Sequence, residues 1–312
     1  MAIPVHEELR GGLDLPTIRL GDDVLESIRQ ARRDDVLPVG PLPGVTFEER
    51  FVPGPEGAPE VRVLVYSPEA AGQDRPAIIH FHGGGLVIGL PEMGHARNGE
   101  LVRELGCVAV SVDYRKAPEA PFPAGPEDGW AALQWMRGAA GDLGIDPTRI
   151  AILGESAGGC MAATLARLAR DRGGPPPVLQ ALVYPMLDDR TGLTTVDAPD
   201  DAPVWTSHSN RYGWSAYLGV PSGSAVVPEG AVPARVADLS GLPPAWIGVG
   251  SIDLFAAENL DYARRLLQAG VDCEFLMVPG AYHAFQKRVP EAPVSLAFEA
   301  SCMAALRRAL TG

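Results

Sequence analysis

A serine lies between two glycines at the point where a strand-like segment gives way to a helix-like one. The pentapeptide Gly154-Glu155-Ser156-Ala157-Gly158 follows the apolar run IAIL (150–153) and precedes a stretch rich in Ala and Leu. Small residues at these positions allow a sharp strand-to-helix turn that leaves the serine side chain exposed at the edge of a sheet. The first amides of the following helix favour developing negative charge nearby. We therefore predict that Ser156 is a nucleophile. The alternative is a glycine-rich turn in which the serine only caps the helix.

Three consecutive glycines follow another apolar run. His82-Gly83-Gly84-Gly85 comes directly after AIIHF (77–81). Glycines let the backbone approach a substrate and point N–H groups into a pocket, and each such donor to a tetrahedral oxyanion lowers the reaction barrier by roughly 2.7–4 kcal/mol. We predict that the amides of Gly83, Gly84 and Ala157 form such an oxyanion site. A phosphate-binding loop is the alternative, but neither a Walker lysine nor a GxGxxG pattern follows.

A nucleophilic serine needs a base, and the chain has six histidines: His6, His80, His82, His95, His208 and His283. When a serine occupies a turn of this kind, an acid and then a histidine follow it along the chain. His208 lies in an irregular stretch, whereas His283 follows the strand-like segment Cys273–Val278 through a Pro-Gly turn. We therefore predict that His283 is the general base.

The acid that orients this histidine is predicted to be Asp253. It ends the apolar segment IGVGSI (247–252), and the carboxyl end of a strand is where a parallel sheet delivers catalytic side chains. Asp272 and Glu258 are competitors, but both fall within or between elements rather than at the carboxyl end of a strand. Alternatively, Asp253 only caps the helix that follows it.

The apolar pattern indicates the elements that hold these residues. Short, β-branched apolar runs predict strands at 61–66, 77–81, 108–112, 150–153, 178–184, 245–249 and 273–278. Apolar residues at helical spacing predict helices at 97–105, 128–137, 157–170, 256–268 and 294–310. Continuous apolar runs suit strands that are buried on both faces, and their alternation with helices implies βαβ units. The sequence therefore predicts an α/β fold with a mostly parallel central sheet flanked by helices.

Two stretches interrupt this alternation. Residues 1–45 are polar and irregular apart from a predicted helix at 22–33, and residues about 188–225 show no clear strand. We predict an N-terminal cap segment (1–45) and a catalytic domain (46–312) that carries a cap insertion at about 188–225. The aromatic residues of the insertion either line the pocket or form the core of the cap itself: Trp205, Tyr212, Trp214 and Tyr217.

Five motifs in one order resemble the hormone-sensitive-lipase-like esterases, a bacterial group within the α/β-hydrolases. They span roughly residues 75–290 and read HFHGGGL (80–86), DYRKAPEAPFPA (113–124), GESAGG (154–159), GSIDLF (250–255) and PGAYHAF (279–285). Several motifs in order are far more specific than any one of them. The resemblance implies the α/β-hydrolase fold with a helical cap, the hydrolysis of esters that often carry short acyl chains, and frequently a homodimer.

Carried over to the matching positions, the resemblance supports the same catalytic and oxyanion residues: Ser156, Asp253, His283, Gly83, Gly84 and Ala157. Three positions depart from the family's usual pattern. Leu254 stands where proline is common, Ala284 where glycine is frequent, and Lys116 where an apolar residue is usual. Leu254 and Ala284 remove no functional group, and the sequence offers no physical explanation for Lys116. Glu155, beside the nucleophile, is interpreted as either a buried ion-pair partner or a local structural acceptor.

We predict a serine carboxylesterase that hydrolyses short- to medium-chain carboxylic esters through an acyl-enzyme intermediate. An amidase, a formamidase or a lactonase would use the same motifs, so these activities stay open as alternatives. A non-catalytic small-molecule receptor on the same fold is a further alternative. Related receptors have lost the histidine, however, and it is present in this chain. The motifs do not specify the physiological ester, its acyl length or its stereochemistry.

The composition of the chain indicates which kinds of binding partner it disfavours and which cellular compartment it suits. The chain has 312 residues, of which 46% are hydrophobic, and this predicts one large globular domain with a small attached cap. The net charge of −13 disfavours nucleic acid and anionic membranes as partners. No apolar run reaches the roughly 18 residues of a membrane span. The four scattered cysteines and the absence of a signal-peptide pattern predict a cytoplasmic location. The histidines and cysteines show no metal-ligand spacing, so we expect no metal. We also expect no cofactor, and a small-molecule ester as substrate.

Overall fold

The computed structural model describes residues 4–14, 19–193 and 203–311. Eight strands within these residues form one sheet: β1 Val45–Val52, β2 Val61–Pro68, β3 Arg75–Phe81, β4 Val108–Val112, β5 Ile145–Glu155, β6 Gln180–Val183, β7 Ala245–Gly250 and β8 Cys273–Val278. The α-helices of the described part are α1 Leu25–Val36, α2 His95–Leu105, α3 Ala124–Gly138, α4 Ala140–Leu143, α5 Ala157–Arg172, α6 Ser207–Leu218, α7 Ala256–Gln268, α8 Phe285–Arg288 and α9 Pro293–Thr311.

The sheet is mostly parallel, as the alternation of strand and helix patterns predicts. Its strand order is β1-β2-β4-β3-β5-β6-β7-β8. The pairs β1–β2 and β2–β4 are antiparallel, whereas the pairs from β4 through β3 to β8 are all parallel. The predicted α/β-hydrolase fold is therefore confirmed. In a parallel sheet of this kind the carboxyl ends of the strands share one edge, which is where the site lies.

Helices cover both faces of the sheet, and each face has its own apolar core. The α3, α5 and α7 helices pack on one face, and α2 and α9 pack on the other. Consecutive residues of β3 show the division, because Ile79 belongs to the first cluster and Ile78 to the second. Both are fully buried. This two-sided burial explains why the central strands are continuous apolar runs rather than alternating ones.

The first strand was not predicted, and its sequence explains why. In VTFEERFV only the two terminal residues, Val45 and Val52, are buried, because β1 is an edge strand that pairs on one side alone. The predicted helix at 22–33 is observed three residues later, as α1. The sequence VLESIRQ places helix formers after two aspartates in a turn, and the helix begins only at Leu25.

The two predicted cap segments are described only in part. Residues 1–3, 15–18 and 194–202 lie outside the described residues. In the remainder, a 3₁₀ helix covers Glu7–Asp14, and α1 and α6 account for most of the regular structure. No helix in the described ranges is long and apolar enough to cross a membrane. The division of the chain into a cap and a catalytic domain stays a prediction.

Candidate active site

Ser156 occupies the tight turn between β5 and α5. Its backbone has φ 56° and ψ −118°, a conformation that residues other than glycine rarely adopt. The turn is held by hydrogen bonds of the serine backbone, whose N–H donates to the Val183 carbonyl (2.9 Å) and whose carbonyl accepts from the Met186 N–H (2.9 Å). Gly158 allows the close approach of the turn to β3, since a Cβ at this position would lie 2.0 Å from the Phe81 carbonyl oxygen. The sharp strand-to-helix turn predicted from the sequence is thus present.

The Ser156 hydroxyl contacts His283, and His283 in turn contacts Asp253. Ser156 Oγ lies 3.0 Å from His283 Nε2, and His283 Nδ1 lies 2.8 Å from Asp253 Oδ2. The exposed fractions of the three residues are 7%, 5% and 6%, respectively. Because an ionised carboxylate only accepts, this arrangement assigns the imidazole proton to Nδ1 and leaves Nε2 to accept from the serine hydroxyl. The structure therefore brings together the three side chains that the sequence singled out.

Neighbouring groups hold the acid and the imidazole in this orientation. Asp253 follows β7, and its Oδ1 accepts from the Phe255 N–H (2.9 Å), which leaves Oδ2 for His283. The imidazole sits between two aromatic rings that it meets edge-on, Tyr184 with centroids 4.7 Å apart and Phe255 at 5.2 Å. These contacts restrict rotation of the ring, so that its Nε2 stays directed at Ser156.

The two competing acids do not contact His283. Asp272 lies directly before β8, at the end of that strand opposite the histidine. The Glu258 carboxylate is buried and accepts from the Leu187 N–H (2.6 Å) and from the Thr191 hydroxyl. Burial raises the pKa of Glu258 well above its usual range. Glu258 therefore anchors the chain that leaves β6, and it takes no part in orienting the imidazole.

The glycine loop after β3 lies beside the serine. A Cβ at Gly83 would lie 3.4 Å from Ser156 Cβ, so the loop backbone runs close to the serine. Gly84 has φ +129°, and a Cβ there would lie 2.0 Å from the Ile88 carbonyl oxygen, which only glycine avoids. The amides of Gly83, Gly84 and Ala157 donate to no acceptor among the described residues. Three N–H groups thus stay available next to the serine, as an oxyanion site requires.

The His82 side chain stabilises the glycine loop. Its Nδ1 donates to the Gly83 carbonyl (2.7 Å), and its ring stacks on Tyr114 with centroids 4.5 Å apart. The Tyr114 hydroxyl donates to the His82 carbonyl (2.9 Å). Burial lowers the pKa of His82 to about 3, so the imidazole is neutral at any ordinary pH. His82 therefore supports the loop as a neutral donor and takes no part in proton transfer.

Helix α6 and the residues before it pack directly on the glycine loop. The Trp205 ring covers Gly85, where an added Cβ would lie 2.1 Å from the indole, and a Cβ at Gly213 would lie 2.3 Å from the Gly85 carbonyl oxygen. Trp214 and Tyr217 point away into the main core and are almost fully buried. Trp205 belongs to the same apolar cluster but also reaches the glycine loop, whereas Tyr212 is only partly buried and its hydroxyl donates to Asp22 Oδ1 (2.6 Å).

The N-terminal residues contact the site region from two sides. In α1, Arg29 donates to the carbonyls of Val87 (2.9 Å) and Ala117 (2.9 Å), next to the glycine loop. Earlier in the chain, the fully buried Leu9 accepts at its carbonyl from the Tyr282 hydroxyl (2.9 Å), beside His283. The segment before β1 therefore supports both the glycine loop and the histidine loop.

Comparison with known proteins identifies the family of this site. A model of the α/β-hydrolase fold matches residues 78–287, which is more than half of the chain. Carboxylesterase NlhH of Mycobacterium tuberculosis is 37% identical over 300 residues, covering 92% of this chain and 90% of that protein. Esterase LipI of the same organism is 34% identical, and the match covers 96% of this chain and 93% of that protein. The chain belongs to the hormone-sensitive-lipase-like esterases of the α/β-hydrolase superfamily. A solved bacterial heroin esterase, 36% identical with a TM-score of 0.92, covers 98% of each chain.

In this hormone-sensitive-lipase-like protein the unusual Lys116 has a local partner. Its ammonium group donates to Asp113 Oδ1 (2.7 Å) and to the Tyr114 carbonyl (3.1 Å). Asp113 also accepts from Arg62 (3.1 Å), and these cations hold the pKa of Asp113 below its usual range despite its burial. Lys116 therefore stabilises the segment that carries Tyr114, and it lies outside the group of reacting side chains.

Sequence reasoning missed several residues that support the histidine. Tyr184 and Phe255 flank the His283 ring, and Arg97 and Lys287 bind Glu155 directly behind the nucleophile. Phe255 lies in a quoted motif and could have been noticed there. The other three are common residue types without a spacing signal, because their partners come from distant parts of the chain.

Metal ligation has no support in the described ranges. There, no group of three His, Cys, Asp or Glu side chains is arranged to hold a metal ion. The four cysteines are free thiols.

Proposed function

We propose that this protein is a serine carboxylesterase that hydrolyses short- to medium-chain carboxylic esters through an acyl-enzyme intermediate. The observation that carries the proposal is the hydrogen-bonded chain Ser156–His283–Asp253 beside three backbone amides with no other described acceptor. The names of the relatives, carboxylesterase and esterase, support the same activity.

The proposed reaction has two steps, acylation of the serine and hydrolysis of the acyl-enzyme, and the same side chains act in both. Ser156 Oγ attacks the ester carbonyl carbon while His283 Nε2 takes the hydroxyl proton and then passes it to the departing alkoxide. Asp253 stabilises the imidazolium that forms between these transfers. The carbonyl oxygen becomes an oxyanion and accepts hydrogen bonds from the amides described above, each lowering the barrier by roughly 2.7–4 kcal/mol. In the second step water attacks the acyl carbon as His283 Nε2 takes one of its protons. The bond between the acyl carbon and Ser156 Oγ then breaks, His283 returns the proton to Oγ, and the acid leaves.

The oxyanion role is assigned to three amides by their position. Gly83 and Gly84 present theirs from the loop after β3, and Ala157 presents its own from the first turn of α5. The start of α5 also brings the positive end of a helix dipole to the same point. Charge that develops on the substrate carbonyl therefore meets donors that are already oriented, so no reorganisation is needed during the reaction.

The alternatives differ in the bond that is cleaved or in whether cleavage occurs. An amidase, formamidase or lactonase would use the same side chains, and the names of the relatives do not favour these activities. A purely binding protein is disfavoured because the serine, histidine and aspartate are in mutual contact. Comparing turnover of p-nitrophenyl acetate with that of p-nitroacetanilide separates esterase from amidase, and a lactone substrate tests the third activity.

The decisive test of the proposal is Ser156→Ala. We expect wild-type protein to hydrolyse p-nitrophenyl acetate and to be labelled by a fluorophosphonate on Ser156. The variant should lose both properties while its circular dichroism is unchanged. A series of p-nitrophenyl esters of increasing acyl length then measures the chain-length preference. Wild-type protein that neither turns over esters nor reacts with the probe would refute the proposal.

A cap made of residues 1–45 and 188–225 is a second part of the proposal. Its support is the contact between the two segments, where the Leu20 N–H donates to Ser209 Oγ (3.0 Å) and His208 Nε2 donates to the Leu20 carbonyl (2.9 Å). A layer of this kind excludes water from the acyl-enzyme and narrows the pocket. Trp205→Ala should therefore broaden the acyl-length profile of the enzyme, whereas an unchanged profile would argue against this role.

We also propose a homodimer in the cytoplasm. Among the described strands, β8 lies at the edge of the sheet and pairs with β7 alone, and Phe275, Leu276 and Met277 on it are partly buried. Edge strands of this kind are prone to pair with another chain, which supports the homodimer. The cytoplasmic location has a separate support, because four free thiols suit a reducing compartment. Sedimentation velocity at micromolar concentration should show a dimer, and a monomer throughout the concentration range would contradict the assembly.

A further inference from the structure

A buried carboxylate lies directly behind the nucleophile. Glu155 is the last residue of β5 and precedes Ser156, but its side chain enters the opposite face of the sheet and is only 2% exposed. There it accepts from Arg97 Nη1 (2.7 Å) and from Lys287 Nζ. A buried carboxylate with two cationic partners is costly to leave half-paired, so this arrangement constrains the elements that supply the cations.

One of these cations belongs to the histidine loop. Lys287 lies on the short helix α8, which begins two residues after His283. Between them, Ala284 has φ 57°, a left-handed conformation that residues with a side chain rarely adopt. The first residue of α8, Phe285, is fully buried and packs on Phe298 with ring centroids 5.0 Å apart. The end of this four-residue helix that carries Lys287 needs an anchor of its own. The Glu155–Lys287 ion pair supplies one, and it joins the residue before the nucleophile to the helix after the base.

The cluster around Glu155 is balanced in charge. Arg97 also pairs with Glu299 of α9 (Nη2 to Oε2, 3.0 Å), so two carboxylates face two cations. Lys287 and Arg97 hold the pKa of Glu155 well below its usual range despite its burial, and the carboxylate stays ionised throughout the pH range of esterase assays. The other titratable groups at the cluster are neutral or weakly polar: His80, Tyr184 and Cys302.

A second contact ties α8 to the same region. Gln286 Nε2 donates to the Tyr184 hydroxyl (2.8 Å), and the Tyr184 ring meets the His283 ring edge-on. His283 is therefore contacted by Asp253 at Nδ1 and, through Tyr184, is linked to Gln286 of α8. Asp253 sets the rotation of the imidazole, whereas α8 sets where the backbone of His283 lies relative to the serine.

We infer that Glu155 is a positioning residue: by holding Lys287, it sets the distance between His283 Nε2 and Ser156 Oγ. This inference rests on the proposed esterase function, in which His283 takes the serine proton. Displacing reacting groups by about 1 Å can lower a rate by as much as 10²-fold. Loss of the anchor should therefore act on kcat, because proton transfer depends on this distance, and much less on KM.

The first test is Lys287→Met, which removes the cation and keeps an unbranched side chain that is only one heavy atom shorter. The Lys287 side chain is 39% exposed and Glu155 keeps Arg97, so we expect the variant to fold. The kcat for p-nitrophenyl acetate should fall by about tenfold or more while KM changes little, and fluorophosphonate labelling should slow in parallel. Lys287→Arg should restore most of the activity. Arg288→Met is the matched control, because Arg288 lies on the same helix and pairs with no acid in the described part of the chain.

A double variant separates positioning from stability. Glu155→Gln leaves Lys287 without its buried partner and should lower the melting temperature, whereas Glu155→Gln combined with Lys287→Met removes both charges and should recover much of that loss. If the pair positions the base, kcat of the double variant stays low in spite of this recovery. Wild-type kcat in the double variant, or in a folded Lys287→Met, overturns the inference. Failure of the proposed function would show differently, as absence of turnover and labelling in the wild-type protein itself.

Discussion

Gly158→Ala tests how closely the serine turn must approach the oxyanion loop. The added Cβ would lie 2.0 Å from the Phe81 carbonyl oxygen and 2.6 Å from that of His82. Both contacts are with backbone, which cannot rotate away as a side chain can. Since Cβ atoms essentially never approach closer than 3.0 Å, α5 and the end of β3 must move apart.

The size of the effect follows from that separation. Relieving the contact with Phe81 requires a shift of about 1 Å between the serine turn and the segment that carries Gly83 and Gly84, and a misplacement of this size can cost about 10²-fold in rate. Loss of one oxyanion donor has a similar effect, about 10²–10³-fold in kcat. We therefore expect kcat for p-nitrophenyl acetate to fall by about two orders of magnitude with a smaller change in KM. Overpacking should also destabilise the fold by about 1–3 kcal/mol.

The assay compares Gly158→Ala with Gly138→Ala. Gly138 is the last residue of α3, and a Cβ there would meet nothing within 4 Å, so this control adds the same methyl group without a clash. Both proteins should be assayed well below their melting temperatures, with fluorophosphonate titration to count active serines. The reasoning is refuted if folded Gly158→Ala keeps the kcat of the wild-type protein, since the oxyanion loop would then tolerate displacement from the serine.

Three further outcomes are expected. Asp253→Asn should lower kcat by about 10⁴-fold, the size of the loss that this exchange causes in a Ser-His-Asp protease, because an amide favours the wrong imidazole tautomer; a loss below tenfold would assign the acid elsewhere. Burial lowers the pKa values of His80 and His82 to about 4 and about 3, so the unfolded chain binds protons below pH 6.5 that the folded chain does not. The free energy of unfolding, measured with urea, should therefore fall with pH from 6.5 towards 4 by up to about 1.4 kcal/mol per pH unit for each histidine, and His80→Gln should make this slope shallower. Treatment with EDTA should leave kcat unchanged, and zinc-dependent recovery of lost activity would contradict a site without metal.

The three side chains that the structure brings into contact were predictable as a group because each lies at a local landmark. Ser156 stands in a glycine-flanked turn after an apolar strand, and His283 and Asp253 follow the last two strand patterns in the order that this fold requires. Parallel strands bring their carboxyl ends to one edge, so three loops that are distant in sequence converge without any further signal. The sheet and its flanking helices were predictable for the same reason, since two-sided burial imposes continuous apolar runs.

The edge strand β1 and the short helix α8 could not be predicted from local sequence patterns. The β1 strand has polar residues at most positions, and a strand with one free side and a partly solvated face need not show a continuous apolar run. The short helix α8 was also missed, because four residues are too few for helical periodicity to emerge. Both elements are defined by what they pair with or pack on, rather than by their own composition.

The sequence singled out Lys116 as unusual and Glu155 as either a buried ion-pair partner or a local acceptor, but the partners of both residues depend on the packed fold. An ion pair joins residues that the chain brings together in space, and charge alone does not select Lys287 or Arg97 among the many cations available. The same holds for the segment at residues 4–14, whose contact with the histidine loop arises from burial of Leu9 against Tyr282. Local patterns thus determine where the reacting groups lie on their strands and turns. The supports that hold them at hydrogen-bond distance come from long-range packing, which no local pattern encodes.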